Sequence, residues 1–165
     1  MGIMMDGRAE LEDRVGTALI HMIRRAEEAQ ERAARWQGMH PTDFRCLGYL
    51  HLKGEPVSPG DIISHLGLTS GAGTALLDRL ESAGYITRSR HPEDRRSVLI
   101  VLDTEAAAEP LALHERIRAE YHVGTAEFSD TDLKAIAKFL NRIEALSAEL
   151  NEALYEPKAP IKAAS

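Results

Sequence analysis

Residues 58–102 constrain the fold more than any other stretch of the chain. Ser58 precedes Pro59, and Asp61 follows three residues after the serine. A hydroxyl at an N-cap accepts from an amide of the first turn, proline suits the first helical position, and an acid belongs near the positive end of the helix. The spacing predicts a short helix from Ser58 with Ile62, Ile63 and Leu66 on its buried side. Gly67-Leu68 makes a tight turn. Thr69 or Ser70 then caps a longer helix that carries Leu76, Leu77 and Leu80 as far as Gly84, where a left-handed C-terminal residue belongs. Two strands follow, residues 85–90 and 97–102, joined by the polar, proline-containing turn 91–96.

The flanks read as helix. Leu11, Val15, Ala18, Leu19, Met22, Ala26, Ala29, Ala33 and Trp36 recur at steps of three and four, which predicts a first helix over about 10–36, ended by Gly38. His40-Pro41-Thr42-Asp43 opens a second helix carrying Phe44, Leu47 and Leu50, stopped by Gly54-Glu55-Pro56. Residues 105–124 form another helical segment in which Pro110 marks either the start or a kink. The last helix opens at Ser129 with Asp132 as capping-box partner. Leu133, Ile136, Leu140, Ile143, Ser147, Leu150 and Leu154 then follow as a coiled-coil-like seam.

So small a chain offers no obvious partner for a long apolar stripe at each end. The terminal helices are expected to pack together and against a second copy, with Leu11, Leu133, Ile136, Leu140, Ile143, Leu150 and Leu154 as the seam. The expectation is a mainly α protein with a small β-hairpin wing, a winged helix-turn-helix on a helical dimerisation base. It forms one domain over 1–155: dimerisation helices at about 10–37 and 105–155, the winged helix-turn-helix at about 41–103. Residues 156–165, with two prolines, form a flexible tail.

Composition bounds the function. The 165 residues suffice for one domain with its own core. A lone cysteine, Cys46, excludes an intramolecular disulfide or a multi-cysteine zinc site and fits a reducing compartment. The apolar run Val98-Leu99-Ile100-Val101-Leu102 is far too short to span a membrane, and the N-terminus has no secretory pattern, so a cytoplasmic protein without membrane contact is expected. A net charge of −6 argues against bulk attraction to nucleic acid; such binding needs a local basic patch. The hairpin supplies one, with Arg88, Arg90, Arg95 and Arg96 against Glu93 and Asp94.

In a winged helix-turn-helix the second helix enters the major groove while the hairpin reaches the minor groove or backbone. The run Leu68-Thr69-Ser70-Gly71-Ala72-Gly73-Thr74-Ala75-Leu76-Leu77-Asp78-Arg79-Leu80-Glu81-Ser82-Ala83-Gly84-Tyr85-Ile86, with Arg88 and then His91-Pro92-Glu93-Asp94-Arg95-Arg96-Ser97, closely resembles the MarR family of bacterial transcriptional regulators. The resemblance extends from the first helix to about Leu154. It implies a homodimer that binds pseudo-palindromic double-stranded operators, usually as a repressor, and releases them on binding a small aromatic or phenolic effector. It also implies that Asp78 and Arg96 form the pair linking recognition helix and wing.

On this reading the DNA-facing set is Thr69, Ser70, Gly71, Ala72, Gly73, Thr74, Arg79, Arg88, Arg90, His91, Arg95 and Arg96. The chain departs from the family in that residues 70–75 are all small, where larger polar or basic side chains are common. Few of them can make a bidentate contact to a base. Thr74 and Ser70 can hydrogen-bond, and Ala72 or Ala75 can touch a thymine methyl, so specificity is expected to lean on shape and on the wing. Gly71 and Gly73 each cost about 1 kcal/mol of helix propensity, which close backbone approach to DNA would offset. The usual Asp-Pro opening of the wing is His91-Pro92 here.

The effector crevice of the family lies between dimer base and DNA-binding lobe. Trp36, Met22, Phe44 and Tyr49 are candidates to line it, with His21 or His51 anchoring an anion; ordinary core packing is the competing account of each. Cys46 suggests a redox-responsive member, against which stands the usual burial of free cysteine. His114 and His122 are eight apart, and with His21 and His40 form no ligand cluster, so no metal site is expected. Gly71-Ala72-Gly73 lacks the third glycine of a dinucleotide fingerprint, Leu76 standing there, and a helix precedes it. No catalytic motif is present, and neither an enzyme nor a cofactor is expected. A winged-helix interaction module without DNA binding is the alternative, favoured by the small recognition-helix residues and the acidic balance.

Overall fold

The computed structural model describes residues 7–90, 94 and 97–155. The element order is α1 (Arg8–Trp36), α2 (Pro41–Lys53), α3 (Pro59–His65), α4 (Ser70–Ser82), β1 (Ile86–Arg90), β2 (Val98–Leu102), α5 (Ala108–Thr125) and α6 (Asp130–Tyr155). The chain divides after Arg118, inside α5, into two compact units.

The local signals act as their chemistry demands. Ser58 Oγ accepts from the Asp61 amide at 3.1 Å and donates to its carboxylate at 2.8 Å. Thr69, not Ser70, caps α4, its Oγ1 accepting from the Ala72 amide at 3.3 Å. His40 caps α2 through Nδ1, which accepts from the Thr42 amide at 3.2 Å. Gly84, at φ 80°, turns the chain out of α4 and into β1 in a conformation that side chains rarely adopt. Asp103 Oδ1 accepts from the amides of Glu105 and Ala106, so a turn precedes α5 and Pro110 falls within the first helical turn rather than at a kink.

The core of the first unit lies where α2, α3, α4 and the hairpin meet. Leu47, Ile62, Leu76, Leu80, Ile86 and Ile100 are its fully buried centre. Each such side chain contributes roughly 1.5–3 kcal/mol of burial. The strands pair antiparallel from Ile86 opposite Leu102 to Arg90 opposite Val98. Val57 adds a further bridge to Ile100, with N–O distances of 3.0 and 2.8 Å, and so ties the α2–α3 loop to the wing.

A second contact sets α5 on α2. The His114 ring stacks on Phe44 at 3.8 Å between centroids, and its Nε2 donates to the Phe44 carbonyl at 2.8 Å. Gly48 makes room, since a Cβ there would stand 2.4 Å from His114 Cε1. One turn along α2, His51 Nε2 donates to Glu115 at 2.9 Å.

In the second unit Ser129 and Asp132 form the expected capping box, the hydroxyl and carboxylate meeting at 2.6 Å. No described side chain of α6 is buried: Leu133 and Ile143 are half-buried, and Ile136, Leu140 and Leu150 are exposed. The side chain of Leu154 lies outside the described residues. Among the described residues no helix is long and apolar enough to cross a membrane, and no group of three or more His, Cys, Asp or Glu side chains could hold a metal ion.

Candidate nucleic-acid interface

Helix α4 turns Leu76, Leu77 and Leu80 inward and leaves Thr69, Ser70, Gly71, Ala72, Thr74 and Ala75 exposed. Thr74 donates its hydroxyl proton back to the Ser70 carbonyl at 3.0 Å. A Cβ at Gly71 would meet open space. Gly73 differs from the expectation of close approach to DNA: it is buried, and a Cβ there would lie 2.2 Å from Ile63 Cγ1. The glycine serves the crossing of α3 and α4, because helices this close leave no room for a side chain.

Two arginines of the expected DNA-facing set are committed within the fold. Arg79 grips the buried carboxylate of Asp43 with both ends of its fork, Nε to Oδ2 at 3.0 Å and Nη2 to Oδ1 at 2.6 Å. The hydrogen bond to Asp43 pushes the Arg79 pKa above its ordinary value, against a smaller opposing effect of burial. This clamp ties α4 to α2, and it explains an acid on an otherwise buried face of α2.

Arg88 points from β1 back onto α4, where Nη2 meets Asp78 at 2.6 Å and Nη1 reaches Glu81. Asp78 and Glu81 are three residues apart on one helix, so their carboxylates sit side by side and cradle one guanidinium. Its hydrogen bond to Asp78, chiefly, pushes the Arg88 pKa upward. The pairing expected for Asp78 was with Arg96. Arg96, Arg95 and His91 lie outside the described residues, and within them Arg88 joins wing to helix. Arg90 stands exposed at the far end of β1.

The residues expected to line an effector crevice do not come together. Phe44 is fully buried under His114 and lines no opening. Tyr49 stacks on His65 at 3.8 Å, with Lys53 over its ring. His51 is paired to Glu115, and His21 and Met22 are exposed on α1. Trp36 departs from its expected place on the packed stripe: at the end of α1 it is 87% exposed, and it lines an open groove of about 630 Å³ with Arg32, Leu113, Arg116 and Ile117. Cys46 is buried, and burial chiefly, with Asp43 adding, pushes its thiol up to about 12.

Sequence reasoning missed both arginine clamps, the His114–Phe44 stack and the Val57 bridge. A signal existed for the first: Asp43 falls beside Phe44 and one turn before Leu47, on the buried side of α2, where a carboxylate needs a cation. Nothing local marks the others.

Comparison with known proteins agrees with this architecture. Residues 37–97 match the family model described as MarR family. The uncharacterised HTH-type transcriptional regulator YcgE of Bacillus subtilis is 30% identical over 149 residues, spanning 90% of this chain and 96% of the relative. Wild-type MarR from E. coli, solved in its apo form, superposes with a TM-score of 0.55 at 23% identity, over 77% of this chain and 95% of that one. Transcriptional regulator Tm0710 from Thermotoga maritima gives 0.54 at 23% identity, over 86% and 98%. Helices α1–α6 with the β1–β2 wing, read with these relatives, place the chain in the MarR family of helix-turn-helix transcriptional regulators.

Proposed function

We propose that the chain is a cytoplasmic, homodimeric repressor that binds pseudo-palindromic operators through α4 and the wing. The observation that carries this reading is the Arg88 clamp, which ties β1, with Arg90 exposed at its end, to α4, whose start is exposed. DNA contact is assigned to Thr69, Ser70, Gly71, Ala72, Thr74 and Arg90, together with His91, Arg95 and Arg96 of the turn. Arg79 and Arg88 position that surface, and Gly73 packs it. The exposed apolar residues of α1 and α6, from Leu11 to Leu140 and Leu150, support pairing with a second copy through both ends of the chain.

Gel shift on DNA upstream of the protein's own coding sequence, at several salt concentrations, tests the reading. Arg90→Ala is expected to weaken binding to all sequences and to lower the log-log salt slope by about 0.9 for each phosphate that is no longer neutralised. No shift at low salt would instead favour a winged-helix module that binds protein. Release by a small aromatic anion is supported by the groove that joins Trp36 to Arg32 and Arg116. Since Trp36 is the single tryptophan, titration with benzoate should quench its fluorescence and release DNA over the same concentrations. Quenching without release would leave the groove no regulatory part.

A further inference from the structure

The exposed start of α4 has almost no polar reach. Gly71, Ala72 and Ala75 are exposed and offer only methyl and backbone surface, and Thr74 has turned its hydroxyl proton onto the Ser70 carbonyl. Ser70 has the one short hydroxyl beside the cap. Further along the helix, Asp78 is paired to Arg88 and Arg79 to Asp43. Ala75 sits in the middle of this face, three residues after Ala72 and four after Gly71. Among the described residues, then, α4 presents no fork that could grip guanine or adenine in two places, yet it is slim enough to lie close to the groove floor.

In the major groove thymine alone of the four bases carries an apolar group, its C5-methyl. Resting on the operator-binding reading above, we propose that α4 selects its site through thymine methyl groups packed against Ala72, Ala75 and the Thr74 methyl. Each such contact takes a methyl out of water on the DNA and covers one on the protein. Replacing thymine by uracil removes the methyl and leaves base pairing intact. Affinity should fall about fourfold per position, the equivalent of one buried methylene.

The test selects binders to the full-length chain from a random-sequence duplex library, then remakes the selected duplex with deoxyuridine at its thymines, one position at a time. The selected duplexes should hold thymine in both half-sites, and affinity should fall about fourfold at each position that α4 touches. Ala75→Gly, and separately Ala72→Gly, should bind the thymine duplex more weakly and show a smaller penalty for uracil, because the thymine methyl then has no methyl to pack against. Circular dichroism checks that helix content is kept in these variants.

Equal affinity for uracil and thymine duplexes would overturn the proposal while leaving operator binding intact. So would an unchanged uracil penalty in both glycine variants, which would mean that the methyl acts through the shape of the DNA. Failure to select any duplex at low salt would remove the operator-binding reading itself, and this inference with it.

Discussion

Gly48→Ala should change sign with its background. The His114 ring lies across Gly48, with Cε1, Nδ1 and Nε2 at 2.4, 2.7 and 2.9 Å from the place of a Cβ. The ring cannot yield while stacked on Phe44 and bonded to its carbonyl, so an alanine must expel it. Losing the stack costs about 0.5–1.5 kcal/mol and losing the hydrogen bond a similar amount, together roughly 2 kcal/mol. Alanine in a helix is favoured over glycine by about 1 kcal/mol. The net expectation is a destabilisation of about 1 kcal/mol. In a His114→Ala chain the obstacle is gone, and the same substitution should stabilise by about 1 kcal/mol. Urea unfolding of the four chains at one fixed protein concentration measures both steps, each appearing as roughly a 0.5 M shift of midpoint. If Gly48→Ala stabilises the native chain as much as it stabilises His114→Ala, the reasoning about the α2–α5 contact is wrong.

Three further outcomes are expected. Burial chiefly holds the imidazoles of His65 and His114 below the usual 6.5; Arg45 and Lys53 add to this for His65, while for His114 the bond to Phe44 partly opposes it and His51 adds to it. Below 6.5 these two imidazoles therefore bind more protons in the unfolded chain than in the folded one, and their contribution should lower urea midpoints as pH drops from 6.5. His65→Gln should flatten that slope, and an unaltered slope would count against the lowered pKa of His65. Cys46, with its thiol near 12, should resist a thiol reagent at about pH 8 until urea opens the fold; rapid labelling of native protein would revive a redox role. On the proposed pairing through α6, Leu140→Asp should leave the first unit folded, dissociate the dimer and abolish operator binding, as read by size-exclusion chromatography and gel shift. A persistent tight dimer would place the interface elsewhere.

The helix boundaries were legible because their causes are local. Ser58, Thr69 and Ser129 act on amides three residues away, and Gly84 acts on its own backbone. The candidate site was legible in outline for the same reason: cap, turn and strand pattern place α4 and the wing together. What each arginine does was not. Arg79 answers to a carboxylate 36 residues earlier, and Arg88 to a pair ten and seven residues back across a turn. Gly73 looked like an opening toward DNA because its neighbours are small and exposed; only the crossing of α3 over α4 shows that Ile63 fills the space. Trp36 fits the apolar rhythm of α1, yet a rhythm gives a face and not what covers it.

Asp43 and Phe44 are consecutive residues in the first turn of α2. One holds Arg79 of α4, and the other carries His114 of α5. The start of α2 is thus a shared anchor: side chains one peptide apart hold α4 and α5.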